Sequence, residues 1–204
     1  MVSALPPNKH QEKSLRTRAL LLDAAIDSLS EVGYGSASIA DITARAGVTR
    51  GAQLHHFHTR QELFAQTIGH LTQRQRESMQ RRARGLSPAD AAGAILVELV
   101  TATFAGKLGT ASVELYVGIA NDRPLRREML RVQHELTHEL LDTCAALMDS
   151  SITRENLDRA FWLTVNLVRG ATLDEMVGRD RARRRQVLAD WTELAEIALR
   201  RAPS

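Results

Sequence analysis

Between Thr49 and His56 the chain sets Thr49, Arg50, Gly51, Ala52, Gln53, His55 and His56 within about two helical turns. These side chains are small, polar or potentially cationic, and such a surface fits a major groove, where it can hydrogen-bond base edges and phosphates. Caps and apolar stripes define the elements that must position it. Ile39, Ile42 and Ala46 recur at i, i+3 and i+7 behind Ser38, with Asp41 as capping-box partner, so a short helix opens at Ser38. Gly47 ends that helix and Thr49 caps the next, which makes residues 46–49 the tight turn of a helix-turn-helix. Thr59, with Glu62 three residues on, opens a further helix at Arg60. Helix-turn-helix geometry also occurs in proteins that never touch nucleic acid, so these residues alone leave a protein-interaction module open as an alternative.

A second constellation points to different chemistry. His134-Glu135-Leu136-Thr137-His138 fits H-E-x-x-H, in which two His one turn apart bind zinc and the Glu serves as general base. At ~100° per residue both His fall ~160° from Leu136, on the side away from the main apolar stripe and near Arg127. A catalytic zinc centre lines a pocket and takes a third protein ligand, and no suitable ligand follows in sequence. The pair is therefore expected on a solvated face, with no metal, no cofactor and no catalytic residue assigned, and a metal-dependent hydrolase is the competing reading. No Gly-rich phosphate loop and no nucleophile elbow occurs.

The run AGVTRGAQLHHFHTRQELF, preceded by EVGYGSASIADI, resembles the DNA-binding domain of TetR (tetracycline-repressor-like) transcriptional regulators, with Gly33, Tyr34, Gly47, Val48, Gly51, His56, Phe57 and Leu63 in register. The resemblance extends from about residue 20 to residue 68 and beyond that is only architectural. It implies that Ser38 and Thr49 bond phosphates through hydroxyls and helix-start N–H groups, and that Arg50, Gly51 and Ala52 face base edges. It also implies that His55, His56 and Arg60 approach the DNA backbone. One departure stands out: the family has an apolar residue followed by Tyr where this chain has Gln53 and Leu54. The phosphate contact of that Tyr hydroxyl therefore does not carry over. Gln53 and Leu54 stay in the expected DNA-facing set, with Gln53 either contacting DNA or lying against the turn.

Bulk properties agree with a helical DNA reader. The 204 residues are 44% hydrophobic and 25% charged, period-2 alternation is absent, and i, i+3, i+4, i+7 stripes run end to end, so the fold class is all-α. Residues 1–84 carry 12 Lys or Arg against 7 Asp or Glu, a net +5, whereas the remainder is net −2. The basic excess thus sits beside the helix-turn-helix. No signal-peptide core and no membrane-length apolar run is present, so a cytoplasmic protein without membrane partners is expected. The single cysteine, Cys144, rules out an intrachain disulfide and sits in an apolar stripe.

Three regions are expected: a disordered tail (1–13), the helix-turn-helix domain (14–72) and a helical effector-binding and dimerisation domain (73–204). The first helix starts near Ser14, buries Leu21, Ala25, Leu29 and Val32, and ends at Gly33. The helix from Arg60 buries Leu63, Phe64, Thr67, Ile68 and Leu71, then turns polar almost all round and bridges the two domains. The second domain opens at Ser87-Pro88. A helix over about 110–120 turns Val113, Tyr116 and Val117 inward, and one from Asp122 carries the stripe Leu125 to Leu147. Thr153 caps the next helix, and the last runs over about 181–200, with Arg179 to Arg185 as a solvated start. Phe104, Tyr116, Phe161, Trp162 and Asn166 are the candidate effector-pocket residues. Leu167, Gly170, Ala171, Leu188, Trp191 and Ala195, on the last two helices, are the candidate dimer interface, where a four-helix bundle with the symmetry mates would bury them. The resulting expectation is a homodimeric regulator, a repressor, that binds a double-stranded, pseudo-palindromic operator and responds to a small-molecule effector.

Overall fold

The computed structural model describes residues 9–178 and 181–201. These form α1 (Lys9–Ser36), α2 (Ile39–Arg45), α3 (Arg50–His56), α4 (Arg60–Ala83), α5 (Ala92–Phe104), α6 (Gly106–Gly118), α7 (Arg123–Leu147), α8 (Arg154–Met176) and α9 (Arg181–Leu199), with no strand among the described residues. The chain is all-α, as its periodicity predicts. Of the expected tail, residues 1–8 lie outside the described residues, as do Arg179 and Asp180 of the basic run. Lys9 to Lys13 are helical, so α1 starts ahead of Ser14; Thr17 secures this turn by donating its hydroxyl to the Lys13 carbonyl at 3.0 Å.

Capping fixes most helix starts where the sequence places them. Ser38, Thr49, Thr59, Asp122 and Thr153 each accept a backbone N–H three residues on, from Asp41, Ala52, Glu62, Leu125 and Asn156. The Asp41 carboxylate accepts the Ser38 hydroxyl at 2.5 Å, while Glu62 accepts the His58 N–H at 2.9 Å, so both acidic partners hold the chain entering their helix. Gly47 turns the chain between α2 and α3 at φ 65°, a left-handed conformation that costs a side-chain-bearing residue more. At Gly33 the backbone leaves helical geometry (φ 79°, ψ 165°), which kinks α1 at the predicted stop.

One apolar cluster joins α1 to α4 with α6 and the start of α7, built on Leu21, Leu29, Ile42, Phe57, Phe64, Leu115 and Met129. A second joins the end of α4 to α5, α7, α8 and α9 around Ile95, Leu99, Leu136, Leu140, Cys144, Phe161 and Val165. Burial raises the Cys144 thiol pKa to about 12, which suits a structural role.

Several local expectations are corrected. Val32 and Val117 are exposed, at 51% and 72%, because Val32 adjoins the kink and Val117, in the last turn of α6, lies across the helix from the buried Leu115. The second domain's first helix starts at Ala92, since Ser87 and Asp90 spend their side chains on a turn: Asp90 accepts the Ser87 N–H and the Ser87 hydroxyl accepts the Ala89 N–H. The second half of α4 is not polar all round in its packing. Met79 is buried in the cluster with α5, α7, α8 and α9, and the buried Gln75 donates to the Ser112 hydroxyl at 3.0 Å and accepts from Gln133 at 3.4 Å.

Candidate nucleic-acid interface

The outward face of α3 follows from which of its residues the core takes. Gln53 is buried, Ala52 and His56 are half-buried, and Arg50, Gly51, Leu54 and His55 are exposed. Arg50, Gly51, Leu54 and His55 therefore lie on one flank of a helix held by its Thr49 cap and by Phe57 in the core. A Cβ on Gly51 would stand 4.0 Å from the Thr49 hydroxyl and otherwise in open space, so the helix is lowest in the middle of this face. Two shallow concavities flank it. One, of about 570 Å³ on the α2 side, includes Ala40, Ala44, Val48, Arg50 and Leu54. The other, of about 370 Å³ on the α1 side, is lined by Lys13, Ser14, Thr17, Ala52, His55 and His56.

Thr49, Arg50, Gly51, Ala52, Leu54, His55 and His56 lie around this face, Ser38 caps α2 with its hydroxyl bonded to Asp41, and two expected members turn inward. Gln53 is 4% exposed, and its amide donates to the Phe57 carbonyl. It lies against the turn, because its place on α3 is the side that closes on the core. Arg60 is folded inward as well. Its guanidinium donates to the Tyr34 carbonyl and, at 3.2 Å, to the Ala37 carbonyl, and it stacks 4.2 Å from the Tyr34 ring centroid and 4.6 Å from that of Phe64. It clamps the α1–α2 corner instead of reaching for phosphate.

The His56 pKa is lowered by burial first, then by the positive potential of His55 and Arg18, so at neutral pH it offers an imidazole N–H rather than a full charge. Lys13, Ser14 and Thr17 join the site from α1, where sequence reasoning had placed only a tail and a helix start. Lys13 is the signal in the sequence, a basic residue about two turns before the first apolar stripe at Leu21.

His134 and His138 are exposed on α7, away from buried Leu136, with their Nε2 atoms 3.1 Å apart. Glu135 is engaged by Arg131 at 2.7 Å, and no group of three potential metal ligands occurs among the described residues.

The five candidate effector-pocket residues do not converge. Phe104 and Tyr116 meet around Arg169, whose guanidinium lies 5.3 and 5.1 Å from their ring centroids and donates to the Tyr116 hydroxyl at 3.1 Å. Phe161 is buried in the core, but Trp162 and Asn166 are exposed. At ~100° per residue they project ~100° and ~140° away from Phe161, on the opposite flank of α8. A separate cleft of about 790 Å³ opens where the end of α1 meets α6 and the end of α8, with Gly33, Lys107, Glu114 and Glu175 in its wall.

Of the candidate interface residues, Gly170 is exposed and Leu167, Ala171 and Leu188 are half-buried. Trp191 is half-buried and donates to the Thr164 hydroxyl at 2.8 Å, and Ala195 is fully buried within its own chain. Ala195 is thus a core residue, since it sits on the side of α9 that packs on α5 and α8. The large apolar side chains left outward are Trp162, Leu163, Leu173 and Met176 on α8 and Leu194 and Ile197 on α9. Of these, the sequence marks Trp162 and Leu194 on the two helices read as an interface, and Trp162 also as a pocket candidate; Leu163, Leu173 and Ile197 sit in stretches apolar on most sides, where periodicity does not separate an inner from an outer stripe.

Comparison with known proteins agrees with this geometry. Residues 21–67 match the family described as bacterial regulatory proteins, tetR family. The chain is 29% identical over 185 residues to the transcriptional regulator CymR of Pseudomonas putida, covering 90% of this chain and 91% of CymR. It is 34% identical over 166 residues to Rv2912c, an uncharacterized helix-turn-helix-type transcriptional regulator of Mycobacterium tuberculosis, covering 80% of this chain and 84% of that protein. Among solved structures, SCO4454, a TetR-family regulator of Streptomyces coelicolor, superposes with a TM-score of 0.70 at 20% identity, covering 98% of each chain. LfrR of Mycobacterium smegmatis, solved with proflavine, gives 0.60 at 20% identity, covering 90% of this chain and 96% of LfrR. The outward recognition face on a capped α3 and this extent of similarity lead to one conclusion: the chain belongs to the TetR family of helix-turn-helix transcriptional regulators.

Proposed function

We propose that this regulator is a cytoplasmic repressor that binds a pseudo-palindromic operator as a homodimer and changes its grip when a small molecule binds the helical region after about residue 72. The observation that carries the reading is the outward flank of α3, where Arg50, Gly51, Leu54 and His55 are all exposed. A guanidinium there can donate two hydrogen bonds to a guanine, and a dimer presents two such helices about 34–36 Å apart, one DNA turn. The outward apolar side chains of α8 and α9 support the homodimer, because a second copy would cover Leu163, Leu173, Leu194 and Ile197 in a four-helix bundle. For the effector, the complexes of LfrR with proflavine and of the multidrug binding protein EbrR with imidazole support a small-molecule ligand. An effector that favours one of two domain orientations shifts operator affinity by its preference for that state.

The test is selection of bound duplexes from a random pool at two salt concentrations, because phosphate contacts make affinity salt-dependent. The expected result is a palindromic consensus whose half-sites lie one helical turn apart. Recovery of no consensus at either salt overturns the proposal.

A further inference from the structure

Leu54 is the one large apolar side chain on the outward flank of α3, 43% exposed and one turn beyond Arg50. Of the residues that share its concavity, Ile39, Ala40, Ala44 and Val48 bring further apolar surface to the α2 side, and the polar Thr43, Gln53 and His58 also line it. A phosphate offers the Leu54 side chain and its apolar neighbours nothing. Among the groups that base pairs present in the major groove, the thymine C5-methyl is the apolar one. Arg50 and Leu54 are four residues apart, ~40° round the helix, so both address the same short stretch of base pairs.

We propose that Leu54 is a specificity-determining residue that reads a thymine methyl within two base pairs of the position read by Arg50, the methyl seating against Leu54 in the concavity between α2 and α3. Gln53, bonded to the Phe57 carbonyl, takes no part in this readout. The inference rests on the operator-binding reading above.

The test uses the full chain and the duplex selected from the random pool, with binding followed by fluorescence anisotropy. Each thymine of a half-site is replaced in turn by deoxyuridine, which removes the methyl and leaves every hydrogen-bonding group in place. One replacement, within two base pairs of the position relaxed by Arg50→Ala, is expected to weaken binding about fourfold per half-site, the worth of one buried methyl-sized group. Leu54→Ala is expected to bind the thymine duplex weaker by a similar factor and to be indifferent to that same replacement. Leu54→Asn should show the same indifference, and thermal melting confirms that both variants fold. If every thymine is replaceable without loss, or the loss persists unchanged in Leu54→Ala, the methyl readout is overturned while the regulator reading stands. Absence of any consensus overturns both.

Discussion

At the scale of single residues, the two arginines nearest the recognition helix have opposite fates, and elementary chemistry accounts for the difference. Arg50 follows the Thr49 cap on the outward side of α3 and is exposed, so its donors are available to DNA. Arg60 begins α4 beside the Tyr34 and Ala37 carbonyls and two rings, donating to both carbonyls and stacking on Tyr34 and Phe64. Arg50→Ala is therefore expected to cost ~1–3 kcal/mol on the operator and to relax preference at one base pair, read by binding to half-sites in which each position in turn carries every base pair. A uniform loss over all sequences would make Arg50 a phosphate contact. Arg60→Ala should act first on stability, lowering it by about 2 kcal/mol in urea unfolding, since it strips charged hydrogen bonds and a cation–π contact from the α1–α2 corner. An unchanged melting curve with weaker DNA binding would return Arg60 to the interface.

At the scale of elements, α6 is tied to the helix-turn-helix unit at the corner where α1 kinks. Glu114 of α6 accepts the Tyr34 N–H at 2.9 Å, just beyond Gly33, and Lys107 pairs with Asp27 across the same α1–α6 contact. Tyr34 packs on Phe64 at 4.8 Å between ring centroids and lies so close to Gly118 that a Cβ there would run into its ring. Any shift of α6 must therefore move Tyr34 and, through Arg60 and Phe64, the start of α4. Gly118→Leu is expected to displace Tyr34 and destabilise the protein by about 1–3 kcal/mol, the range for overpacking a filled site. It should also alter operator affinity although residue 118 lies outside the recognition helix. Thermal melting and operator titration measure the two effects, and a variant wild-type in both would show that this corner does not couple the halves.

For the whole molecule, the outward apolar face of α8 and α9 is the feature an isolated chain leaves unexplained. Leu163 is 51% exposed, Leu194 55% and Ile197 69%, at positions where neighbouring turns of the same helices bury Phe161, Val165 and Leu199 completely or nearly so. A paired Leu163→Glu, Ile197→Glu variant is expected to run as a monomer in light scattering and to lose at least about tenfold in operator affinity, ~1.4 kcal/mol, because each half-site is then bound alone. A dimer that survives both charges would place the interface elsewhere.

How much of this was legible beforehand differs between site and surface. The sequence by itself determined the all-helical class, the helix-turn-helix and five of its caps and neighbours' caps, because Ser, Thr and Asp at helix starts bond to N–H groups only three residues away. It also determined the inner stripe of α7, where apolar and polar residues alternate cleanly at helical spacing. Only the tertiary structure decided that Gln53 and Arg60 turn inward, that Trp162 and Asn166 leave the interior, and that Ala195 belongs to the core while Ile197 does not. Periodicity states which residues share a side of a helix, whereas the direction that side faces depends on what packs against it. For α8 and α9, apolar on most of their circumference, that information comes from α5, α6 and the rest of the fold.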